Sequence, residues 1–447
     1  MTNTPSVIAP FVSSETDNVY SLHGLPEEVV AVLFAYFSRS PHPLRENLRA
    51  MVAEGYVPSG GATAITAAAR ERARAFHEKW VVGYGHGSVA EHAVVHIALE
   101  GISLLAAKAI EDCRLGTAFT EKSTRYIPFD DDGYSRAAVP DTDPEAVAAV
   151  KGLLGAYRAL VDEYTKLAPP GGDNARRAWA LDRARQLLPV AAATSVGMTV
   201  NGRALRAMVR KLRTDPHAEV RELAEKLLAV GRAELPGLLG GDVPAAPSHR
   251  AAGIAEVYAR LPHPVPGASV ALAVGTRGLP PPGFTGGLTA GEPLPRAFEA
   301  MSVRIHLQCS YAAWRDIQRH RVFAASPVRI ATRSAVELID GGLLPPEVQH
   351  KALGAISESL RVASAREGAG VNTAEAEYVL PIGSMIRVTL TGNVRGLAHF
   401  ISLRSGKQGH DSYRAVAQDL HRQLAEVYPE IAALIPCDYA PRVLSRA

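Results

Sequence analysis

Arg319-His320-Arg321 sets two guanidinium groups around an imidazole within one tripeptide. Guanidiniums stay charged and present forked donors that match phosphate oxygens, so the tripeptide could hold a phosphorylated ligand; alone, it also reads as a solvated basic helix end. A second cluster, Glu121-Lys122-Ser123-Thr124-Arg125-Tyr126, gathers an acid, two hydroxyls and two cations. If this segment is extended, Glu121, Ser123 and Arg125 share one face. A third, Gly85-His86-Gly87-Ser88 followed by Glu91-His92, is a glycine loop whose freed backbone N–H groups, with Ser88 and His86, suit a phosphate or a ribose. Its spacing is not that of a zincin, and no metal site is expected. Arg185, Arg203, Arg213, Arg395 and Arg404 stand singly on or beside apolar-periodic helices, where each alone reads as a solvated residue.

These clusters sit in two long segments that look like diverged copies. Leu188-Pro189 is followed by Asn201-Gly202-Arg203-Ala204-Leu205, and Leu380-Pro381 by Asn393-Val394-Arg395-Gly396-Leu397, with the same Pro-to-Asn offset of 12 (201−189 and 393−381). Leu212-Arg213 and Leu403-Arg404 follow at nearly equal distances. A solenoid recurs every few tens of residues, so a period this long indicates duplication of a whole domain.

The elements that must position the clusters follow from periodicity. Pro26 to Phe37, Pro43 to Glu54, Thr63 to Val81 and Asp143 to Lys166 carry helical spacing, the last ended by Pro169 to Asp173. In the second copy Arg296 to Met301 reads as helical. Ser269 to Val274, Val303 to Gln308, Asn372 to Val379 and Met385 to Thr391 read as strands, and Val394 to Arg404 and Ser412 to Tyr428 as helices. Without regular βαβ alternation, the fold class is α+β: two similar domains, each a sheet flanked by helices, with an N-terminal helical segment. The expected boundaries are a disordered or extended tail over 1–22, a first domain over 23–235, a Pro/Gly-rich linker over 236–250 and a second domain over 251–447.

Composition bounds the function classes. A chain of 447 residues, 47% hydrophobic and 21% charged, holds two cores of ordinary size. With 48 Lys plus Arg against 45 Asp plus Glu, the net charge of +3 gives no bulk attraction to nucleic acid, and no aromatic stacking stripe accompanies the arginines. Cys113, Cys309 and Cys437 form no CxxC pair, which argues against a zinc site or a disulfide framework and fits a reducing cytoplasm. The N-terminus lacks a signal-peptide pattern and no apolar run reaches the ~18 residues of a membrane span, so a cytoplasmic protein is expected.

Taken together, the segments resemble the flavin-dependent thymidylate synthase (ThyX) family, whose hallmark is an RHR tripeptide followed by a Ser and then Arg-Tyr. The family also has an upstream GHxSxxEH-like stretch and a downstream ARxxLP…NxR…HFxxLR stretch. Gly85 to His92 is similar to the upstream stretch, Glu121, Ser123, Arg125 and Tyr126 to the end of the hallmark, and Ala184 to Pro189 to ARxxLP. The first copy, however, has Cys113-Arg114-Leu115 where RHR belongs. The second keeps RHR, Asn393, Arg395, His399-Phe400 and Leu403-Arg404, but has Pro327, Arg329 and Ala331 at the Glu, Ser and Arg positions and Glu377 in place of the ARxxLP arginine. Each copy lacks what the other retains, so one composite site would be nearly complete.

The resemblance implies FAD held by Arg319, His320, Arg321, Asn393, Arg395 and His399, with His86, Ser88 and Glu121 reaching in. It implies 2′-deoxyuridine monophosphate (dUMP) on the flavin, its phosphate on Arg125, Arg185 and Arg404, with Ser123 and Glu121 beside it. Ser123, Arg125 and Arg404 would be the catalytic groups. NADPH and methylenetetrahydrofolate would be the co-substrates for reductive methylation. The family's pyrimidine-reading Gln is Asp316 here, with Gln318 nearby; an ionised carboxylate only accepts hydrogen bonds, so another pyrimidine nucleotide is an alternative substrate. A non-catalytic relic that binds flavin or nucleotide is a further alternative. Family members are homotetramers, and two joined pseudo-subunits per chain imply a homodimer.

Overall fold

The computed structural model describes residues 6–38, 40–55, 87–246, 268–275, 285–326, 328–338, 341–369 and 374–441. The expected helix over Thr63 to Val81 and most of the glycine loop, His86 included, lie outside the described residues. The chain divides into two compact units, Met1–Leu99 with Ala109–Thr120 and Val196–Ala251, and Glu100–Lys108 with Glu121–Ser195 and Ala252–Ala447.

In the first unit, the stretch expected to be a polar tail buries Ile8, Phe11 and Val12 around a 3-10 turn at Ala9–Phe11. Helices α1 (Glu27–Phe37) and α2 (Leu44–Ala53) follow and pack together. Strands β1 (Val94–Ser103), β2 (Thr117–Glu121) and β3 (Ala193–Asn201) form a three-stranded sheet in the order β1-β3-β2, and their last or first residues are counted with the second unit. Helix α3 (Leu104–Glu111) follows β1. Of the stretch expected as linker, Pro236–Leu239 is a short helix, with Leu235, Leu238, Leu239 and Val243 buried.

The second unit contains α4 (Pro144–Leu167) and α5 (Asp173–Ala184). Asp143 caps α4 by accepting from the Ala146 N–H at 3.1 Å, with Pro144 in the first turn, where a missing N–H costs nothing. Ala146, Val150, Leu153, Tyr157, Leu160 and Tyr164 recur at helical spacing along its buried face. Strands β4 (Ser269–Val274), β5 (Ser302–Ser310), β6 (Ala324–Ala325) and β7 (Met385–Asn393) form an antiparallel sheet in the order β4-β5-β7-β6, with Ser302 opposite Asn393 and Ser310 opposite Met385. Val303, Ile305 and Leu307 point inward on alternate positions of β5, the pattern of a strand half buried under helices. Helix α9 (Tyr311–Ile317) follows β5, and α10 (Pro346–Gly368) packs on α4. Within the stretch expected as a strand over Asn372 to Val379, the described Glu375–Val379 is instead a 3-10 turn that buries Ala376, Glu377, Tyr378 and Val379 together. Alternating Ala and Glu imitates a period of two, but four successive buried side chains cannot share one face of a strand.

The duplication is visible in the elements. Strand β3, α6 (Gly202–Leu212), α7 (Ala218–Glu234) and α8 (Pro236–Leu239) are repeated as β7, α11 (Val394–Arg404), α12 (Asp411–Val427) and α13 (Pro429–Ala432). Asn201 and Asn393 cap α6 and α11 in the same way, each side chain accepting at 2.8 Å from the N–H three residues on. Within the second unit the ARxxLP segment and its copy run antiparallel about a local two-fold. Val190 N donates to Leu380 O and Ile382 N to Leu188 O, both at 2.8 Å, while Ala191 N reaches Tyr378 O at 3.1 Å and Gly383 N reaches Gln186 O at 2.7 Å. Every reciprocal pair carries the same offset of 192 (380−188, 382−190, 378−186, 383−191). Reciprocity of this kind, residue i on j and the copy of j on the copy of i, is what a two-fold contact requires. Among the described residues no helix is long and apolar enough to cross a membrane.

Candidate functional site

The second unit draws charged groups from both copies into one place. Glu121, at the end of β2, has a side chain only 1% exposed, with Lys108 Nζ of α3 at 2.9 Å, Arg315 of α9 at 2.5 Å and Arg319 at 3.6 Å. Burial works against its charge, but Arg315 and Lys108 prevail and lower its pKa to about 2. Lys108 and Arg315 were not recognisable from sequence, because each sits on an apolar helix face and is explained only by a carboxylate on another element.

Beside it, two further arginines meet two carboxylates. Arg125 Nε lies 2.9 Å from Asp182 Oδ1 and its terminal nitrogens donate to Gln408 O at 2.9 Å and to the Tyr413 hydroxyl at 3.4 Å. Arg185, in the 3-10 turn after α5, donates to Asp316 Oδ2 at 3.0 Å and lies 3.5 Å from Asp182. Burial opposes ionisation of Asp316, yet Arg185 first, then Arg319, Arg125 and Arg404, hold its pKa down to about 2. Asp316 is thus the anion around which the first copy's Arg125 and Arg185 and the second copy's Arg319 and Arg404 are arranged.

Arg404, the last residue of α11, donates from Nε to His320 Nε2 at 2.7 Å. A ring nitrogen that accepts cannot carry the proton, so the His320 proton sits on Nδ1. Burial, Arg404 and His399 push its pKa down to about 3, leaving a neutral imidazole wedged against Phe400 with ring centroids 4.8 Å apart. Arg319 and Arg321 flank it with exposed side chains. Gln318 donates to Lys108 O at 3.3 Å, while its Oε1 is buried without a hydrogen-bond partner among the described residues.

The remaining predicted residues are placed as follows. Ser123 lies in a turn, its Oγ accepting from Arg125 N at 3.2 Å and its carbonyl from Tyr126 and Ile127. The segment is therefore extended only as far as Glu121, and the shared face expected for Glu121, Ser123 and Arg125 does not form. Asn393, Arg395 and His399 line a separate cavity of about 400 Å³ with Glu292, Leu294 and Val322. There Asn393 serves as helix cap, and Arg395 bonds Leu294 O at 2.8 Å and Glu299 at 2.7 Å. Ser88 belongs to the first unit, where it precedes the 3-10 turn Val89–Glu91.

A family model described as "Thymidylate synthase complementing protein" matches residues 37–237 and 290–430. The chain belongs to this family. A UPF0159 protein of Chlamydia muridarum is 25% identical over 98% of this chain and 96% of its own length. A UPF0159 protein of Thermoplasma acidophilum is 23% identical over 82% of this chain and 89% of its own. The flavin-dependent thymidylate synthase of Mycolicibacterium gilvum is 31% identical over 166 residues, 36% of this chain and 66% of that protein. The chain is a divergent family member with a tandem arrangement, and its two antiparallel sheets accord with one family-like domain per copy.

Proposed function

We propose that this protein is a flavin-dependent thymidylate synthase that reductively methylates dUMP, using methylenetetrahydrofolate and NADPH. One observation carries the reading: Arg125 and Arg185 of the first copy converge with Arg319, His320 and Arg404 of the second in a single compact unit. Together these are groups that the resemblance divides between the two copies.

The residues present fit FAD and a nucleotide by the chemistry of their donors. Arg319 and Arg321, exposed beside a neutral His320 donor, suit phosphate or ring acceptors of the flavin, and Asn393, Arg395 and His399 edge the separate cavity. FAD, when bound, supplies the hydride chemistry. The protein's own contribution is grip and orientation. Arg125, Arg185 and Arg404 bind the nucleotide phosphate, and their burial strengthens each charge-assisted bond relative to a water-exposed one. Glu121 takes no part in proton transfer; it is held ionised between Lys108 and Arg315 and orients Arg319. Gln318 Oε1, a buried acceptor, is placed to receive a ligand N–H, and Ser123 stands beside the nucleotide.

A second reading keeps FAD but takes another pyrimidine nucleotide, and it rests on Asp316, whose carboxylate engages Arg185 and only accepts hydrogen bonds. The same duplication implies a homodimer, and the small net charge and the cysteine pattern without a CxxC pair accord with a cytoplasmic enzyme that has no nucleic-acid partner. The test is spectroscopic and kinetic. The purified protein should show flavin absorbance and oxidise NADPH in a dUMP-dependent manner; flavin without dUMP dependence favours the second reading, and neither signal favours a relic.

A further inference from the structure

We propose that the second copy's nucleotide-gripping position is closed by its own side chains, so that each chain offers one nucleotide site and not two. The inference rests on the family reading above and extends it to the number of sites.

The local two-fold makes the comparison strict. Glu377 is the counterpart of Arg185 at the offset of 192 (377−185) shown by all four reciprocal backbone bonds. Arg329 and Ala331 stand in sequence where the first copy has Ser123 and Arg125. Thus a hydroxyl has become a guanidinium, one guanidinium has become a carboxylate and another a methyl group. The two new charges meet: Arg329 Nε lies 3.0 Å from Glu377 Oε1, and Ile330 N donates to Glu377 Oε2 at 3.3 Å. The Glu377 side chain is only 4% exposed.

At the open position Arg125, Arg185, Arg319 and Arg404 outnumber Asp182 and Asp316, whereas here Arg329 and Glu377 cancel, so an entering phosphate faces the buried Glu377 carboxylate with no surplus cation from this pair. Like charges at short range in a dry site repel strongly. To release Arg329 for the ligand, Glu377 would have to give up both the guanidinium and the Ile330 N–H while staying buried, and an uncompensated buried charge is strongly disfavoured. Ala331 offers no replacement donor. What the second copy retains is the bracing role. The same turn that carries Glu377 continues into Tyr378 to Gly383, whose backbone bonds hold Gln186 to Ala191 and so fix the segment that carries Arg185.

The test counts nucleotides on the full flavin-loaded chain by calorimetric titration with dUMP. One dUMP per chain is expected, and two per chain would overturn the inference. Arg125→Ala supplies an independent arm, because it damages the open site alone. It should weaken all measurable dUMP binding at least tenfold, whereas a residual class of sites at the original affinity would show the second position to be open. A count of zero overturns the inference together with the family reading, and absence of flavin absorbance in the same sample identifies that outcome.

Discussion

Replacing Glu121 by Gln should cost on the order of 3 kcal/mol of stability at neutral pH, although the side chains are nearly isosteric. The magnitude follows from two routes. The pKa falls from 4.5 to about 2, and at about 1.36 kcal/mol per unit the native state favours the ionised form by on the order of 3 kcal/mol. Independently, the substitution strands Lys108 and Arg315, 4% and 6% exposed, without their shared anion, and breaking one side of a buried ion pair typically costs about 3–5 kcal/mol. Urea unfolding at pH 7 should show the midpoint reduced by on the order of 1 M at an ordinary slope. The pH dependence gives a sharper signature. Because the folded pKa is depressed, the contribution of Glu121 is complete above its unfolded value of 4.5 and is lost as pH falls through about 2. The stability gap between wild type and Glu121→Gln should therefore close between pH 4.5 and 2. A variant within 1 kcal/mol of wild type at pH 7, or a gap unchanged at pH 2.5, would refute the buried-anion account.

Other expectations follow from the same geometry. Arg125→Ala should weaken dUMP binding at least tenfold while the protein remains yellow, because Arg125 contacts Asp182, Gln408 and Tyr413 and none of the flavin-clamp residues; unchanged affinity would remove it from the grip. Gly383→Ala would place a Cβ 2.7 Å from Glu337 O and 2.8 Å from Gln186 O, two backbone atoms that cannot move cheaply, so thermal unfolding should shift down by several degrees, as an overpacking cost of about 1–3 kcal/mol predicts. Histidine NMR should find His320 neutral from pH 8 down to 5, since its pKa lies near 3; a ring that titrates near the ordinary 6.5 would contradict its burial against Arg404. Light scattering should report a dimer, and a monomer at working concentration would defeat the pseudo-tetramer.

Much of the fold was legible because local signals agreed with long-range packing. The alternation of Val303, Ile305 and Leu307 and the apolar stripe of α4 are both local, and each formed what it announced. The copy relationship was legible as an offset, and the reciprocal bonds about Pro189 and Pro381 give it a geometry. Sequence reasoning failed where a distant partner decides. Lys108 looks like an error on an apolar helix until Glu121 is seen beside it, and Asp182 gives no hint that it pairs with Arg125. Glu375 to Val379 misled because alternating small and acidic residues imitate a strand while the acid at 377 is in fact buried on an arginine.

The central claim is that one chain builds its nucleotide pocket from both copies. A crystal structure with dUMP bound tests it most directly. The phosphate should contact Arg125 or Arg185 of the first copy and Arg404 of the second within the same polypeptide. A nucleotide held by groups from a single copy, or bound away from Arg319-His320-Arg321, would contradict the account.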